Sequence, residues 1–132
     1  MALDVGNVRI GVAASDPTQT ISTPLNSLPR KNSISEIKEI CSDRAIVLIL
    51  VGMPYLPSGK LGTQARITEA FINELKISIE IPIQTADERM TTIEAKIRLK
   101  ESGYKNISKA GNKGIIDSAA AAVLLDEYIS SL

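Results

Sequence analysis

Asp4-Val5-Gly6, with Arg9-Ile10-Gly11-Val12-Ala13 close behind it, sets the architecture of this chain. A carboxylate lies at the end of a short apolar segment, and a glycine turn leads at once into a second apolar segment. Two such segments joined by a tight turn predict an antiparallel hairpin. Asp4 is then expected at the rim of a sheet, beside a backbone tight enough to approach a phosphate. Metal-dependent phosphate chemistry follows if other carboxylates join Asp4.

Downstream of the hairpin, apolar strands alternate with amphipathic helices. The order β-β-β-α-β-α-β-α-α predicts an α/β fold with a mixed five-stranded sheet, an antiparallel meander continued by parallel strands and flanked by helices. All 132 residues are expected to form a single domain. Two capping boxes, Ser33 with Glu36 and Thr91 with Glu94, are expected to open helices. Strands are predicted at residues 1–6, 9–15, 20–28, 45–51 and 79–83, and helices at residues 33–42, 63–76, 91–103 and 115–132.

The composition excludes several kinds of catalytic site. The chain has no histidine and one cysteine, Cys41. Ser-His and Cys-His catalysis, histidine metal sites, cysteine zinc clusters and internal disulfides are therefore ruled out. Hydrolysis must depend on carboxylates, hydroxyls, Lys, Arg and a hard metal ion. With 44% hydrophobic residues but no long apolar run, we expect a cytoplasmic protein that does not associate with membranes.

Three acids are candidates for one site. Asp4 and Glu88 lie at the ends of predicted strands, and helical periodicity places Asp117 on an inward face of the last helix, among alanines. Each acid has an ordinary alternative: Asp4 as a turn residue, Glu88 as an acid before a helix, and Asp117 as the cap of the last helix. If the three converge, they offer the oxygen ligands that Mg²⁺ or Mn²⁺ prefers. Two such ions can support phosphodiester hydrolysis without histidine.

These residues carry a family resemblance. The resemblance covers nearly the whole chain and is to the YqgF (RuvX) family, whose members are ribonuclease-H-like and similar to Holliday junction resolvases. Family members are regarded as candidate nucleases for the 5′ end of precursor 16S rRNA. The resemblance therefore implies a metal-dependent endonuclease that takes part in ribosome biogenesis or acts on branched nucleic acid. The matching motifs are Asp4-Val5-Gly6 with Arg9 to Ala13, Gly52-Met53-Pro54, Asp87-Glu88-Arg89-Met90-Thr91-Thr92, and Asp117-Ser118-Ala119-Ala120.

The resemblance also implies roles for individual residues. Asp4, Glu88 and Asp117 are the expected catalytic and metal-binding acids, with Mg²⁺ or Mn²⁺ as the cofactor. Asp87 is expected either to join them or to orient Arg89. Expected contacts with the substrate come from Gly6, Arg9, Lys60 in the Gly52–Gly62 loop, Arg89, Thr92, and Lys113 with the 104–114 loop.

Charge and aromatic content narrow the expected partner. The net charge is zero, but residues 89–113 hold seven basic and two acidic side chains, which fits an anionic partner or, equally, a solvated helix face. With three Tyr, one Phe and no Trp, recognition of nucleic acid by shape and phosphate is expected rather than base stacking. Expected partners are precursor rRNA or structured RNA or DNA, and ribosomal particles. The chain is expected to be a monomer or homodimer.

Two other functions stay open at this stage. Val8 stands where family members usually carry Lys, and the loop before Asp117 is less basic than usual, which keeps a non-catalytic nucleic-acid-binding or ribosome-assembly factor in view. Family chains also usually carry a few more residues before Leu3, so the short first strand is expected to hold Asp4 loosely. An ATP-binding phosphotransferase is the third hypothesis, since Asp-x-Gly before an apolar hairpin also opens actin-like ATPase domains.

Overall fold

The computed structural model describes residues 1–89, 91–102 and 113–132, and no statement is made about the side chains of residues 91, 92 and 113. Strands and helices follow the predicted order. The elements are β1 (Ala2–Val5), β2 (Arg9–Ser15), β3 (Ser22–Pro29), α1 (Ser33–Asp43), β4 (Ile49–Met53), α2 (Thr63–Ser78), β5 (Ile83–Asp87), α3 (Thr91–Glu101) and α4 (Lys113–Ser130).

The five strands form one mixed sheet in the spatial order β3-β2-β1-β4-β5. β1, β2 and β3 are antiparallel neighbours, whereas β1 pairs in parallel with β4 and β4 with β5. This confirms the predicted α/β fold, an antiparallel meander joined to parallel strands as in ribonuclease-H-like proteins. Because β1, β4 and β5 are parallel, their carboxyl ends meet at one edge of the sheet. Asp4 and Glu88 are both brought to that edge.

The two faces of the sheet differ in side-chain size. Side chains alternate between faces along a strand. One face carries large residues, such as Leu3 and Ile10, that pack with Ile37 of α1 and Phe71 of α2. The opposite face carries mostly small residues, and the alanines of α4 pack there; this cluster comprises Ala2, Ala13, Leu50, Ala121, Ala122, Leu124 and Leu125. Small residues on both surfaces let α4 approach the sheet closely.

β1 is held firmly despite its four residues. It is the central strand, paired with β2 on one side and β4 on the other. The Met1 amino group donates a hydrogen bond of 3.0 Å to the carbonyl of Leu48, and Leu3 is fully buried. The expectation that a short first strand would hold Asp4 loosely is therefore wrong.

Two strands begin later than their apolar runs indicated. The segment 45–51 was predicted as a strand, but Ala45 has a φ of 53°, Val47 is 69% exposed, and β4 begins only at Ile49. Likewise, Ile79 caps the end of α2, and β5 starts at Ile83 instead of ending there. The pairing between the two strands, from Ile49 with Ile83 to Met53 with Asp87, decides both boundaries.

The start of α1 also differs from the predicted capping box. Asn32, with a φ of 62°, precedes α1 without a capping side-chain bond, so the Ser33–Glu36 box is wrong; the Ser33 hydroxyl donates to the Arg30 carbonyl instead. The Thr91 side chain of the second box and Gly103 lie outside the described residues. No helix in the described ranges has the length and apolar character needed to cross a membrane.

Candidate active site

Asp4 lies on the α4 face of the sheet, one residue before the end of β1. Its register partner across the hairpin is Gly11 of β2. The tight turn between the strands is closed by a hydrogen bond of 2.9 Å from the Gly6 N–H to the Arg9 carbonyl. Asp4 is therefore a strand residue, and the alternative of a turn residue is wrong.

Glu88 reaches the same face from β5. Its N–H donates to the carbonyl of Met53 at 3.2 Å, so the strand pairing continues one residue beyond Asp87. Alternation then turns Glu88 away from the face of Asp87 and toward Asp4. A Cβ atom on Gly52 would overlap the Glu88 carboxylate. The bare backbone of Gly52 thus makes room for this side chain.

The two carboxyl groups are in direct contact. Glu88 donates a hydrogen bond to Asp4. Burial is the largest cause that raises the pKa of Glu88, to about 9, and the charges of Asp4, Asp117 and Asp87 add to it. Burial also raises the pKa of Asp4 to about 6; the hydrogen bond from Glu88 opposes this shift and the charge of Asp117 adds to it. The pair therefore shares a proton near neutral pH.

Asp117 lies close enough to this pair for its charge to raise the pKa of both Asp4 and Glu88. It is in the second turn of α4, which begins at Lys113, so the alternative of a cap for the last helix is wrong. Its backbone lies against Gly11, the register partner of Asp4. Within the described ranges, no group of three acids or cysteines is arranged to hold a metal ion. The predicted metal site stays a prediction.

The chemistry of these residues nevertheless suits a hard divalent cation. Three carboxylates supply only oxygen ligands, which Mg²⁺ and Mn²⁺ prefer. The proton shared by Asp4 and Glu88 supplies the positive charge that such a cation would bring to the same oxygens. In their chemistry the residues therefore fit a Mg²⁺ or Mn²⁺ ion that displaces this proton, although the described acids are not arranged as a three-ligand group.

Asp87 serves Arg89 rather than the acidic pair. The Arg89 Nε donates to both Asp87 oxygens, at 3.1 and 2.8 Å, and the two side chains form a salt bridge of 2.6 Å. This contact lowers the pKa of Asp87. The Arg89 guanidinium also lies near Gly59, 3.8 Å from where a Cβ atom there would be. Of the two predicted roles for Asp87, the structure shows the orientation of Arg89.

The remaining residues that were predicted to contact the substrate differ in burial and in hydrogen bonding. Arg9 is partly buried, and its Cδ is 3.6 Å from the position of a Cβ on Gly114. The backbone of Gly6 is used within the turn, since its carbonyl also accepts a bond of 3.0 Å from Arg30. Lys60 lies exposed in the loop before α2. The side chains of Thr92 and Lys113 and loop residues 103–112 lie outside the described part.

Sequence reasoning missed several residues that shape the site. Gly11 and Gly52 were part of the recognised motifs, but their role is steric: each leaves room for an acidic residue of another element. Ser118 was passed over as the neighbour of Asp117, yet its hydroxyl bonds to the backbone of β2. Asp126 of α4 binds Arg98 of α3 at 2.7 Å. No local sequence signal reveals contacts of this range.

Comparisons with known proteins show which family the chain resembles. A family model described as "RuvX: Holliday junction resolvase" matches residues 1–131. The chain is 36% identical over 134 residues to a Roseiflexus sp. (strain RS-1) protein named "Putative pre-16S rRNA nuclease", covering 99% of this chain and 93% of that protein. Proteins of the same name match from Crocosphaera subtropica (35% identity, 98% of this chain, 90% of the relative) and Rhodococcus erythropolis (39% identity, 98% and 76%).

Proposed function

Because the chain belongs to the RuvX family of Holliday junction resolvases, we propose that it is an endonuclease that depends on a divalent metal. We propose the 5′ end of precursor 16S rRNA as its substrate and ribosomal particles as the setting. Branched nucleic acid is the related substrate class. The substrate proposal is supported by the name of the relatives, "Putative pre-16S rRNA nuclease".

One observation carries the catalytic part of this proposal. Asp4 and Glu88 are in contact at the edge where parallel strands end, with the charge of Asp117 close enough to raise the pKa of both. Mutual repulsion among buried acids costs stability unless a proton or cation compensates for it. A protein that keeps such an arrangement at a ligand-binding edge of its sheet has the features of a catalytic site.

Asp4, Glu88 and Asp117 would hold Mg²⁺ or Mn²⁺. Such an ion, when bound, activates water and stabilises the leaving oxygen of a phosphodiester. Glu88 would need to lose its shared proton for its carboxylate to serve as a ligand, and Asp4 would supply oxygens from the central strand. Asp117, carried by α4, would supply the third carboxylate.

Basic side chains around the acidic site would bind the phosphates of the substrate. Arg89 is held in a fixed direction by Asp87, with its guanidinium toward the 54–62 loop that carries Lys60. Arg9 lies on the other side of Asp4, at the start of β2. Phosphate contacts of this kind position nucleic acid without reading its sequence. We include Gly6, Thr92 and Lys113 among the proposed contacts on the strength of the family resemblance.

The experiment is cleavage of a 16S precursor with its 5′ extension. Wild type is compared with Asp4→Asn, Glu88→Gln and Asp117→Asn, with Mg²⁺, with Mn²⁺ and with chelator, and the 5′ ends are mapped. Wild type should cut only with metal, and each variant should lose at least about 100-fold in rate. Equal cleavage by wild type and all three variants would contradict the proposal.

A second function is favoured by one specific observation. The described acids are not arranged as a three-ligand metal group, as expected of a factor that binds nucleic acid or assists ribosome assembly without cutting. Tight RNA binding by the protein, unaffected by chelator and by Asp4→Asn, with no cleavage in the assay above, would select this function.

A further inference from the structure

A side chain of α4 reaches the backbone of β2 directly beneath the acidic site. The N–H of Val12 donates a hydrogen bond of 3.1 Å to the hydroxyl of Ser118, and the contact is buried. Ser118 itself is 2% exposed. The bond joins residues 106 positions apart. It therefore fixes the N-terminal part of α4 to β2.

The pairing between β2 and β3 is irregular at the point where this bond forms. Ile10 pairs with Leu28 of β3, but Val12 pairs with Leu25, so Gly11 alone lies opposite two residues. The extra residue is on β3, and such a β-bulge interrupts the ladder and bends the strand that carries it. Val12 is the first β2 residue beyond the interruption. The Ser118 hydroxyl thus meets the sheet where its regular hydrogen bonding is broken.

Gly11 lets the helix come this close. A Cβ atom there would overlap the backbone carbonyl of Asp117 and lie 2.7 Å from the Ser118 nitrogen. α4 therefore rests on bare backbone at the residue that pairs with Asp4. The height and rotation of α4 at this contact decide how far the Asp117 carboxylate is from Asp4.

We propose that Ser118 is a positioning residue for the acidic site: by binding the Val12 N–H at the bulge, it holds α4 so that Asp117 faces Asp4 and Glu88. This role rests on the proposed function of the three acids. It does not require Ser118 to contact metal or substrate. It predicts that the hydroxyl matters for metal affinity and catalytic rate, beyond its effect on stability.

A purely structural role predicts something different. Removing the hydroxyl leaves the Val12 N–H buried without this acceptor, which lowers the stability of the fold whether or not the acidic site is affected. A matched control is Ser22, whose hydroxyl joins β3 to the Ala122 carbonyl at 3.0 Å and to Asp126. Ser22→Ala also cuts a serine bond between the sheet and α4, but between one and three turns away from Asp117.

The test measures Mn²⁺ binding by calorimetry, together with the kcat and KM of RNA cleavage, in wild type, Ser118→Ala and Ser22→Ala. Ser118→Cys, which keeps the branching of the side chain with a slightly larger atom that accepts hydrogen bonds weakly, is the second variant in case the alanine variant does not fold. Both Ser118 variants should bind Mn²⁺ about 10–100-fold more weakly and lose at least about 10-fold in kcat, with KM little changed. Ser22→Ala should bind Mn²⁺ like wild type.

Each outcome decides one claim. If Ser118→Ala or Ser118→Cys binds Mn²⁺ as tightly as Ser22→Ala does, the positioning role is overturned and the proposed function stands. If wild type binds no Mn²⁺ at all, the proposed metal-dependent function fails, and the positioning role fails with it.

Discussion

The Glu88 carboxyl group donates a hydrogen bond to the Asp4 carboxylate, although the two residues lie on strands that are not neighbours in the sheet. β4 separates β1 from β5, and the contact passes over Gly52 of β4. Two acids in contact across a bare glycine are stable only if a proton or a cation lies between them. This relationship leads to the first three predictions.

The stability of the metal-free protein should fall as the pH rises. Asp4 and Glu88 have pKa values raised to about 6 and about 9 in the folded protein, against 3.8 and 4.5 as model values. As the pH rises, the unfolded chain releases these protons at a lower pH than the folded protein does. The stability that the pair contributes is therefore greatest below about pH 4 and is lost as the pH rises through 6 and toward 9. Urea denaturation at intervals from pH 5 to 9 measures the slope. Saturating Mn²⁺ should flatten it, whereas a rise of stability over this range without metal would count against the shared proton.

Glu88→Gln should raise the stability of the metal-free protein at alkaline pH. The amide keeps the shape and can still donate to Asp4, but it carries no charge at any pH. At pH 8–9 the metal-free variant should be more stable than wild type, by on the order of 1–2 kcal/mol, because the repulsion is gone. The pH slope of the previous prediction should shrink in the same variant. A variant less stable than wild type at pH 9 would show that the two acids do not repel each other there.

Gly52→Ala should impair cleavage by displacing Glu88. A Cβ at residue 52 would overlap the Glu88 carboxylate and lie 3.2 Å from Cδ2 of Leu124. We expect at least about a 10-fold loss of metal affinity and a loss of about 1–3 kcal/mol in stability from overpacking. Gly62→Ala is the matched control, since a Cβ there meets only the flexible side chain of Leu56, at 2.9 Å. Equal Mn²⁺ affinity in the two variants would show that metal binding does not depend on the space at Gly52.

Arg89→Ala should weaken substrate binding without harming the fold. Its salt bridge with Asp87 is exposed, with about 40% of each side chain accessible, so stability should change by less than about 1 kcal/mol. RNA binding should weaken, and the slope of log affinity against log salt should decrease by about one phosphate contact. Arg98→Ala, which removes the same charge but breaks a bond to Asp126, is the control. Its salt slope should stay at the wild-type value.

The sequence predicted what depends on local pattern. The hairpin around Gly6 and the order of strands and helices follow from alternation, periodicity and turn residues, and these expectations were confirmed. The start of β4 was missed because the apolar run from Ala45 satisfies a strand pattern locally. The parallel pairing of Ile49 with Ile83 selects the true boundary, and that pairing joins distant parts of the chain.

The candidate site divides in the same way. Asp4, Glu88 and Asp117 could be singled out by their place at strand ends and on a helix face, because those positions follow from period and topology. The contacts that hold these acids in place could not be predicted from the sequence. Three features arise only when distant segments pack together: the hydrogen bond between Val12 and Ser118, the β3 bulge opposite Gly11, and the space above Gly52.

The central claim is that Asp4, Glu88 and Asp117 share a divalent cation, and a crystal structure of the protein soaked with Mn²⁺ tests it most directly. The anomalous signal of Mn²⁺ locates the ion independently of the protein coordinates. We predict a peak with oxygens of all three carboxylates about 2.0–2.6 Å away, and with the hydrogen bond between Glu88 and Asp4 replaced by metal contacts. Crystals at saturating Mn²⁺ that show no peak there, with Glu88 still bonded to Asp4, would contradict the account.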